Sequence, residues 1–206
     1  MPYVDLSVVI NNKLPVYPGD PQVKVAEVAI LAEEGYNEHS LHMGTHAGTH
    51  VDAPFHMVHG GKTLDEFPVS KFVGRGRYIR VHNGVFDLAA VKAADIAAGD
   101  IVLFHTGMSD HMDDPAYFEN SPAMPEDVAR YLAEKKVSMV GVDLCSPDDD
   151  PHLIHKILLK KEVLIIENLV GLGKLAGKEF KVFALPLKLA VDGAPARVIA
   201  EVENKE

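Results

Sequence analysis

At 206 residues, with 47% hydrophobic and 24% charged side chains, the chain has the composition of one packed domain spanning 1–206, which excludes a disordered, collagen-like or low-complexity polypeptide. Its formal net charge of −10 argues against nucleic acid or an anionic membrane as partner, because both are met by basic surfaces. Cys145 is the sole cysteine, so an intrachain disulfide and a four-cysteine zinc site are excluded, and any metal must rest on His and carboxylates.

Runs rich in β-branched and apolar residues predict strands at 4–10, 23–31, 78–81, 101–106, 137–143, 163–167, 181–187 and 197–202. Segment 109–124, acidic and broken by prolines, reads as a long surface loop able to reach over a site; with 14–21 it is the expected lining of any pocket. Segment 125–136 (PEDVARYLAEKK) predicts an amphipathic helix, with Pro and acids in its first turn and Val128, Ala129 and Leu132 on one face. A second helix is expected at 151–161, with Asp150 as its cap and Pro151 in its first position. Helices placed between strands after residue 100 imply β-α-β units, whereas the first third is strand-rich. The expected fold class is therefore α/β with a mixed sheet.

Six of the eleven histidines, His39, His42, His46, His50, His56 and His59, fall in one short stretch. Its core, THAGTHVDAPFH, sets His46, His50, Asp52 and His56 in a frame of Gly and Pro; imidazoles and a carboxylate are what a divalent transition metal takes from a protein without thiolates. In a flat strand His46 and His50 would lie about 13 Å apart at roughly 3.3 Å per residue, too far for one ion with bonds of about 2 Å. A helix would join these two but turn Asp52 away, and Gly48, Thr49, Val51 and Pro54 oppose it. The segment must bend, with Gly48 as the pivot. His39, His42 and His59 lie outside the spaced core and are expected at the surface or on the substrate side.

HAGTHVDAPFH resembles the HxGTHxDxPxH signature of the cyclase family of metal-dependent hydrolases, which includes bacterial kynurenine formamidases and isatin hydrolases. VDLS at 4–7, VYPGDP at 16–21, GGKTLDEFP at 60–68, GDIVLFHTG at 99–107, GVDLCSPD at 141–148 and LPLKLAVDGAPARVIA at 185–200 extend the resemblance over nearly the whole chain. It implies that His46, His50 and Asp52 bind metal and that His56 acts in catalysis. HKILL at 155 and ENL at 167 match the family's later block, which implies His155 and Glu167, and not His152, as further ligands. It also implies a mixed, partly barrel-like sheet flanked by helices, of the swivelling β/β/α type, assembled as a homodimer or higher homo-oligomer.

Three His and two carboxylates suit Zn²⁺, one or two ions per chain, with Mn²⁺ as the alternative. If Asp52 bridges two ions, a water ionised there would attack the carbonyl of a small amide, with His56 as general base and then acid. Glu167, ending the apolar run VLIIE, would gain in such a cation the partner that a buried carboxylate needs. The expected activity is arylformamidase, converting N-formylkynurenine to kynurenine and formate. The alternatives are an isatin-like cyclic amide or an ester as substrate, or a protein that binds metal or a small ligand without turnover. No GxSxG elbow is present, GLGKLAGK at 171–178 lacks phosphate-loop spacing and reads as a turn, and Cys145 lacks a His/Asn frame. Asp148, Asp149 and Asp150 read as caps for the following helix, with an extra metal contact as the alternative. With no leader pattern in the opening residues and no apolar run near the roughly 18 to 20 residues of a bilayer span, the cytoplasm is the expected location.

Overall fold

The structure is a computed structural model and describes residues 3–114 and 116–203. Its strands are β1 (Tyr3–Asp5), β2 (Lys24–Ala29), β3 (Glu38–His42), β4 (His50–Asp52), β5 (Val73–Arg80), β6 (Ile101–His105), β7 (Met139–Val142), β8 (Leu164–Glu167), β9 (Phe180–Pro186) and β10 (Gly193–Val202). The helices are α1 (Leu31–Glu34), α2 (Leu88–Ala93), α3 (Ala116–Glu119), α4 (Glu126–Lys135) and α5 (Leu153–Leu159). β5 to β8 form a parallel block, which β9 and β4 flank antiparallel on either side. β10 closes the ring by changing partner along its length: Gly193–Pro195 pair with β4, and Ala196–Val202 pair with β9. A closed, mixed barrel of seven strands results, with β1 added along β10.

Alternation along the strands gives the barrel two apolar faces. Ile101, Leu103, Met139, Leu164, Ile166, Val182 and Val198 fill the interior, while Val102, Phe104, Val140, Val142 and Ile165 face outward. That outer layer is covered by Val128, Ala129 and Leu132 of α4 and by Ile154, Leu158 and Leu159 of α5. Burial on both faces explains why the central strands read as unbroken apolar runs. α4 keeps its predicted place, and its acids Glu126 and Asp127 sit where the helix dipole favours them.

Several boundaries differ from the sequence-based expectation. The strand expected at 4–10 ends at Asp5, whose carboxylate accepts from the Ser7 N–H (3.2 Å) and turns the chain out of the ladder. The strand expected at 78–81 begins at Val73, its start masked by the alternating Gly and Arg of VGRGRYIR. The helix expected at 151–161 begins only at Leu153, because His152 takes a left-handed conformation (φ 54°) that a helix interior does not admit. Its cap is then Asp148 in place of Asp150: one Asp148 oxygen accepts from the N–H groups of Ile154 (2.6 Å) and His155 (3.4 Å). The loop expected at 109–124 holds the end of a 3-10 turn (Met108–His111) and α3, and Pro115 lies outside the described residues. α2, unforeseen, is capped by Asp87, which accepts from the Ala89 N–H at 2.8 Å.

Candidate metal centre and active site

The chain bends at Gly48, which has φ +67°. A Cβ there would meet Val8 at 3.0 Å and Leu14 at 3.1 Å, so both conformation and space call for glycine. The bend is tied down by Thr49, whose hydroxyl donates to the Asn168 carbonyl (2.7 Å) and accepts from the Val8 N–H (3.0 Å). Beyond it the chain enters β4, whose register on β8 sets His50 opposite Glu167 and Asp52 opposite Ile165. The turn brings the ring of His46 back to 4.9 Å from that of His50, and the 3-10 turn Pro54–His56 stacks His56 at 4.1 Å from His46. α5 supplies His155 from the outer side of the sheet.

All six residues singled out in the sequence therefore meet in one place. His46 Nδ1 lies 2.8 Å from Asp52 Oδ1, and His50 Nε2 lies 3.2 Å from Asp52 Oδ1 and 3.3 Å from Glu167 Oε2. His155 Nε2 lies 3.2 Å from Glu167 Oε1 and 3.8 Å from Asp52 Oδ2. Two donor sets follow, each with its ligand atoms mutually within 4.8 Å: His46, His50 and Asp52; and Asp52, His155 and Glu167. Asp52, fully buried, belongs to both.

Whether a cation fits can be judged from buried atoms that lack a hydrogen-bond partner. Among the described residues these are His50 Nε2, Asp52 Oδ2, Glu167 Oε1 and His152 Nδ1, the first three aimed into the cluster. Burying even one polar group unpaired costs about 1 to 3 kcal/mol, and more when it is charged. A divalent ion accepting lone pairs from all three relieves that cost, and the nitrogen and oxygen donors suit zinc or manganese.

The far ring nitrogens are also held. His50 Nδ1 is 2.8 Å from the Gly48 carbonyl oxygen, His155 Nδ1 is 2.5 Å from Asp148 Oδ1, and His46 Nε2 is 2.8 Å from Asp192 Oδ2. The Gly48 carbonyl can only accept, so it takes the His50 Nδ1–H and leaves the Nε2 lone pair toward the centre; Asp148 and Asp192 stand where they would hold His155 and His46 in the same way, an arrangement typical of metal-ligating histidines. Without metal the cluster binds protons instead. Burial opposes charge on His155, but its hydrogen bond with Asp148 and the nearby carboxylates of Glu167 and Asp52 outweigh that and push its pKa up to about 10. His50 is likewise raised well above the usual value against the effect of burial, by Asp52 and Glu167. Burial would raise Asp52, yet His50 and His46 hold it well below the ordinary carboxylate range. His56 goes the other way: burial lowers it, the pull of Asp52 notwithstanding, so it is neutral at pH 7.

The Cyclase family model ("Putative cyclase") matches residues 4–149. The chain belongs to the Cyclase family. Kynurenine formamidase of Bacillus cereus is 34% identical over 204 residues, covering 96% of each chain, and that of Salinibacter ruber is 33% identical over 207 residues, covering 97% of each. Among solved structures, a potential metal-dependent hydrolase with cyclase activity superposes with a TM-score of 0.80 at 34% identity, covering 98% of each chain. An isatin hydrolase bound to the product analogue thioisatinate shares the fold, with a TM-score of 0.87 at 24% identity over 98% of this chain and 92% of that one.

In this member of the Cyclase family the cluster opens into a cavity of about 220 Å³. His46, His56, His155 and Glu167 line it together with Tyr17, Met57 and Phe118, with Tyr17 and Phe118 edge to face at 6.2 Å. The segments expected to line a pocket, 14–21 and 109–124, both do so. His39, His42 and His59 are exposed. Cys145 lines the cavity with its thiol pushed up by burial, a poor nucleophile. Sequence reasoning missed Asp192 and assigned Asp148 to helix capping with a metal contact as the alternative, not to the orientation of His155. Asp192 stands in the block LAVDGAPARVIA, where a carboxylate before a glycine in an otherwise apolar run was the available signal.

Proposed function

We propose that the chain, as one hydrolase domain, is a metal-dependent arylformamidase of the cytoplasm that cleaves N-formylkynurenine to kynurenine and formate. The observation that carries this reading is the set of unpartnered buried donors on His50, Asp52 and Glu167, standing beside a neutral His56 in a cavity whose lining includes aromatic rings. The names of the kynurenine formamidase relatives support the substrate.

His46, His50 and Asp52 would hold one divalent ion, and Asp52, His155 and Glu167 a second, with zinc the first choice and manganese the alternative. Bound there, the metal supplies Lewis acidity and a water that ionises near neutral pH. The protein does the rest. Tyr17 and Phe118 receive the aryl ring, and since about 150 Å³ suffices for benzene, the cavity takes one ring with its substituents. His56, neutral through burial, accepts the proton of the attacking water at a ring nitrogen and returns it to the aniline nitrogen as the C–N bond breaks. Asp148 keeps the His155 ring from turning while this happens.

The hairpin of β2 and β3 leaves Val28, Leu31, Tyr36 and Leu41 exposed, which suits the expected homodimer and is checked by light scattering. No helix of the described chain is long and apolar enough to cross a membrane. The function is tested by measuring metal per chain by elemental mass spectrometry together with hydrolysis of N-formylkynurenine. One to two ions per chain and turnover that disappears with chelation support the proposal. Bound metal without turnover of this substrate, but with turnover of a lactam, moves the substrate assignment. Absence of metal after zinc or manganese supplementation overturns the metal centre.

A further inference from the structure

We infer that Asp192 is a positioning residue that fixes His46 and His56 together, tying a ligand of the metal centre to the group that moves the proton. The inference deepens the hydrolase reading and rests on it for the role of His56.

Asp192 sits in the turn between β9 and β10, far in sequence from both histidines, and the turn is strapped to the histidine segment. The Ala53 N–H donates to the Asp192 carbonyl (2.8 Å) and the Leu64 N–H to the Val191 carbonyl (3.1 Å). From that anchor one carboxylate oxygen, Oδ2, lies 2.8 Å from His46 Nε2 and 3.6 Å from His56 Nδ1. The Thr45 hydroxyl donates to the same carboxylate at 3.4 to 3.5 Å, which limits its rotation. The next residue completes the seat: a Cβ on Gly193 would lie 2.8 Å from Cε1 of His46, so the imidazole packs flush against the backbone. His46 is thus gripped on three sides, by Asp52 at Nδ1, by Asp192 at Nε2 and by Gly193 along its edge.

The consequence is geometric. With Nε2–H given to Asp192, the His46 lone pair is committed to the nitrogen that faces Asp52 and the metal set. The same oxygen stands 3.6 Å from Nδ1 of His56, beyond a formed hydrogen bond but near enough for its charge to favour an N–H on that side, which leaves Nε2 for the proton in transit. Asp192 lies in the set His46, His56 and Asp192, whose ligand atoms are within 4.8 Å of one another, so a direct ligand role is the rival that the test must separate.

The experiment compares Asp192→Ala and Asp192→Asn with the wild type at one fixed pH. It reads zinc affinity by chelator competition, ions per chain, kcat and KM for N-formylkynurenine, and the paramagnetically shifted imidazole N–H signals of the Co²⁺-loaded protein. The expected result for Asp192→Ala is a 10- to 100-fold loss of zinc affinity, with a comparable fall in kcat, KM within about twofold, and one shifted N–H signal lost to solvent exchange. Asp192→Asn, whose amide oxygen still accepts the N–H, recovers part of each. Unchanged affinity and an unchanged Co²⁺ spectrum in Asp192→Ala would overturn the inference. So would the loss of one whole ion per chain in both variants, which makes Asp192 a ligand. Should the wild type fail to hydrolyse the amide while affinity and spectrum change as expected, the hydrolase reading falls and the hold of Asp192 on His46 stands.

Discussion

His56 and His155 stand 6.0 Å apart and carry opposite electrostatic instructions. His155, raised to about 10, holds a proton at pH 7 in the metal-free protein and must release it to bind metal; His56, lowered by burial, is already unprotonated. Zinc affinity is therefore expected to rise with pH up to about 10, and proton release on binding will appear as a calorimetric enthalpy that changes with the ionisation heat of the buffer. His56→Ala is expected to retain its metal and lose about 10²- to 10⁴-fold in kcat, the usual worth of a positioned acid–base group. Metal loss in that variant would instead make His56 a ligand. Asp148→Ala removes both the cap of α5 and the partner of His155 Nδ1. The expected outcome is about 1 kcal/mol less stability in urea unfolding, together with metal affinity weakened by about 10- to 100-fold.

At the level of elements, the bend at residue 48 decides whether the histidines converge, and the sequence carried that information. Spacing excluded both a flat strand and a helix, and glycine was the residue able to turn. Gly48→Ala tests it: the left-handed conformation costs about 1 to 2 kcal/mol for a residue with a Cβ, and the contact with Val8 adds to this, so the variant should unfold at lower urea and bind less metal. The central strands and α4 were equally legible, because burial on both faces writes continuous apolar runs and a helix buried on one face writes a stripe. β3 was not, since Glu38–His42 is exposed throughout and has no buried face to reveal it. The start of α5 was misplaced because an Asp-Pro pair is a good helix opening in general, and only the left-handed turn at His152 reassigns the cap to Asp148. Asp192 was missed for a different reason: its partners lie 146 and 136 residues away, and a carboxylate before a glycine marks a turn without saying what the turn meets.

At the scale of the whole molecule, the candidate donors come from the bend before β4, from β4 and β8, and from α5, so an ion bound there would join the barrel wall to its outer helix. Chelation should lower the melting temperature: a ligand at 100 times its dissociation constant contributes about 2.7 kcal/mol. The metal-free protein should also have a distinct pH profile. Stability from the raised His155 is complete below the unfolded value of about 6.5 and is lost as pH climbs toward 10, whereas stability from the lowered Asp52 is present above about 3.9 and is lost in acid. Metal-free protein is thus expected to be most stable between about pH 4 and 6.5, and zinc should move the optimum toward alkaline pH. Melting curves with and without chelator across that range check both statements.

The two donor sets also differ in when they come into being. His46, His50 and Asp52 are all made in the first third of the chain, whereas His155 is made between β7 and β8 and Glu167 ends β8, the last strand of the parallel block, and the turn carrying Asp192 emerges after both. During synthesis, then, the chain offers one crude chelating segment long before it offers a second position, and Asp192 can grip His46 only once the last hairpin closes the barrel. Metal delivered early would meet an ungripped imidazole and exchange freely. In the proposed centre, tight retention would then await the finished barrel.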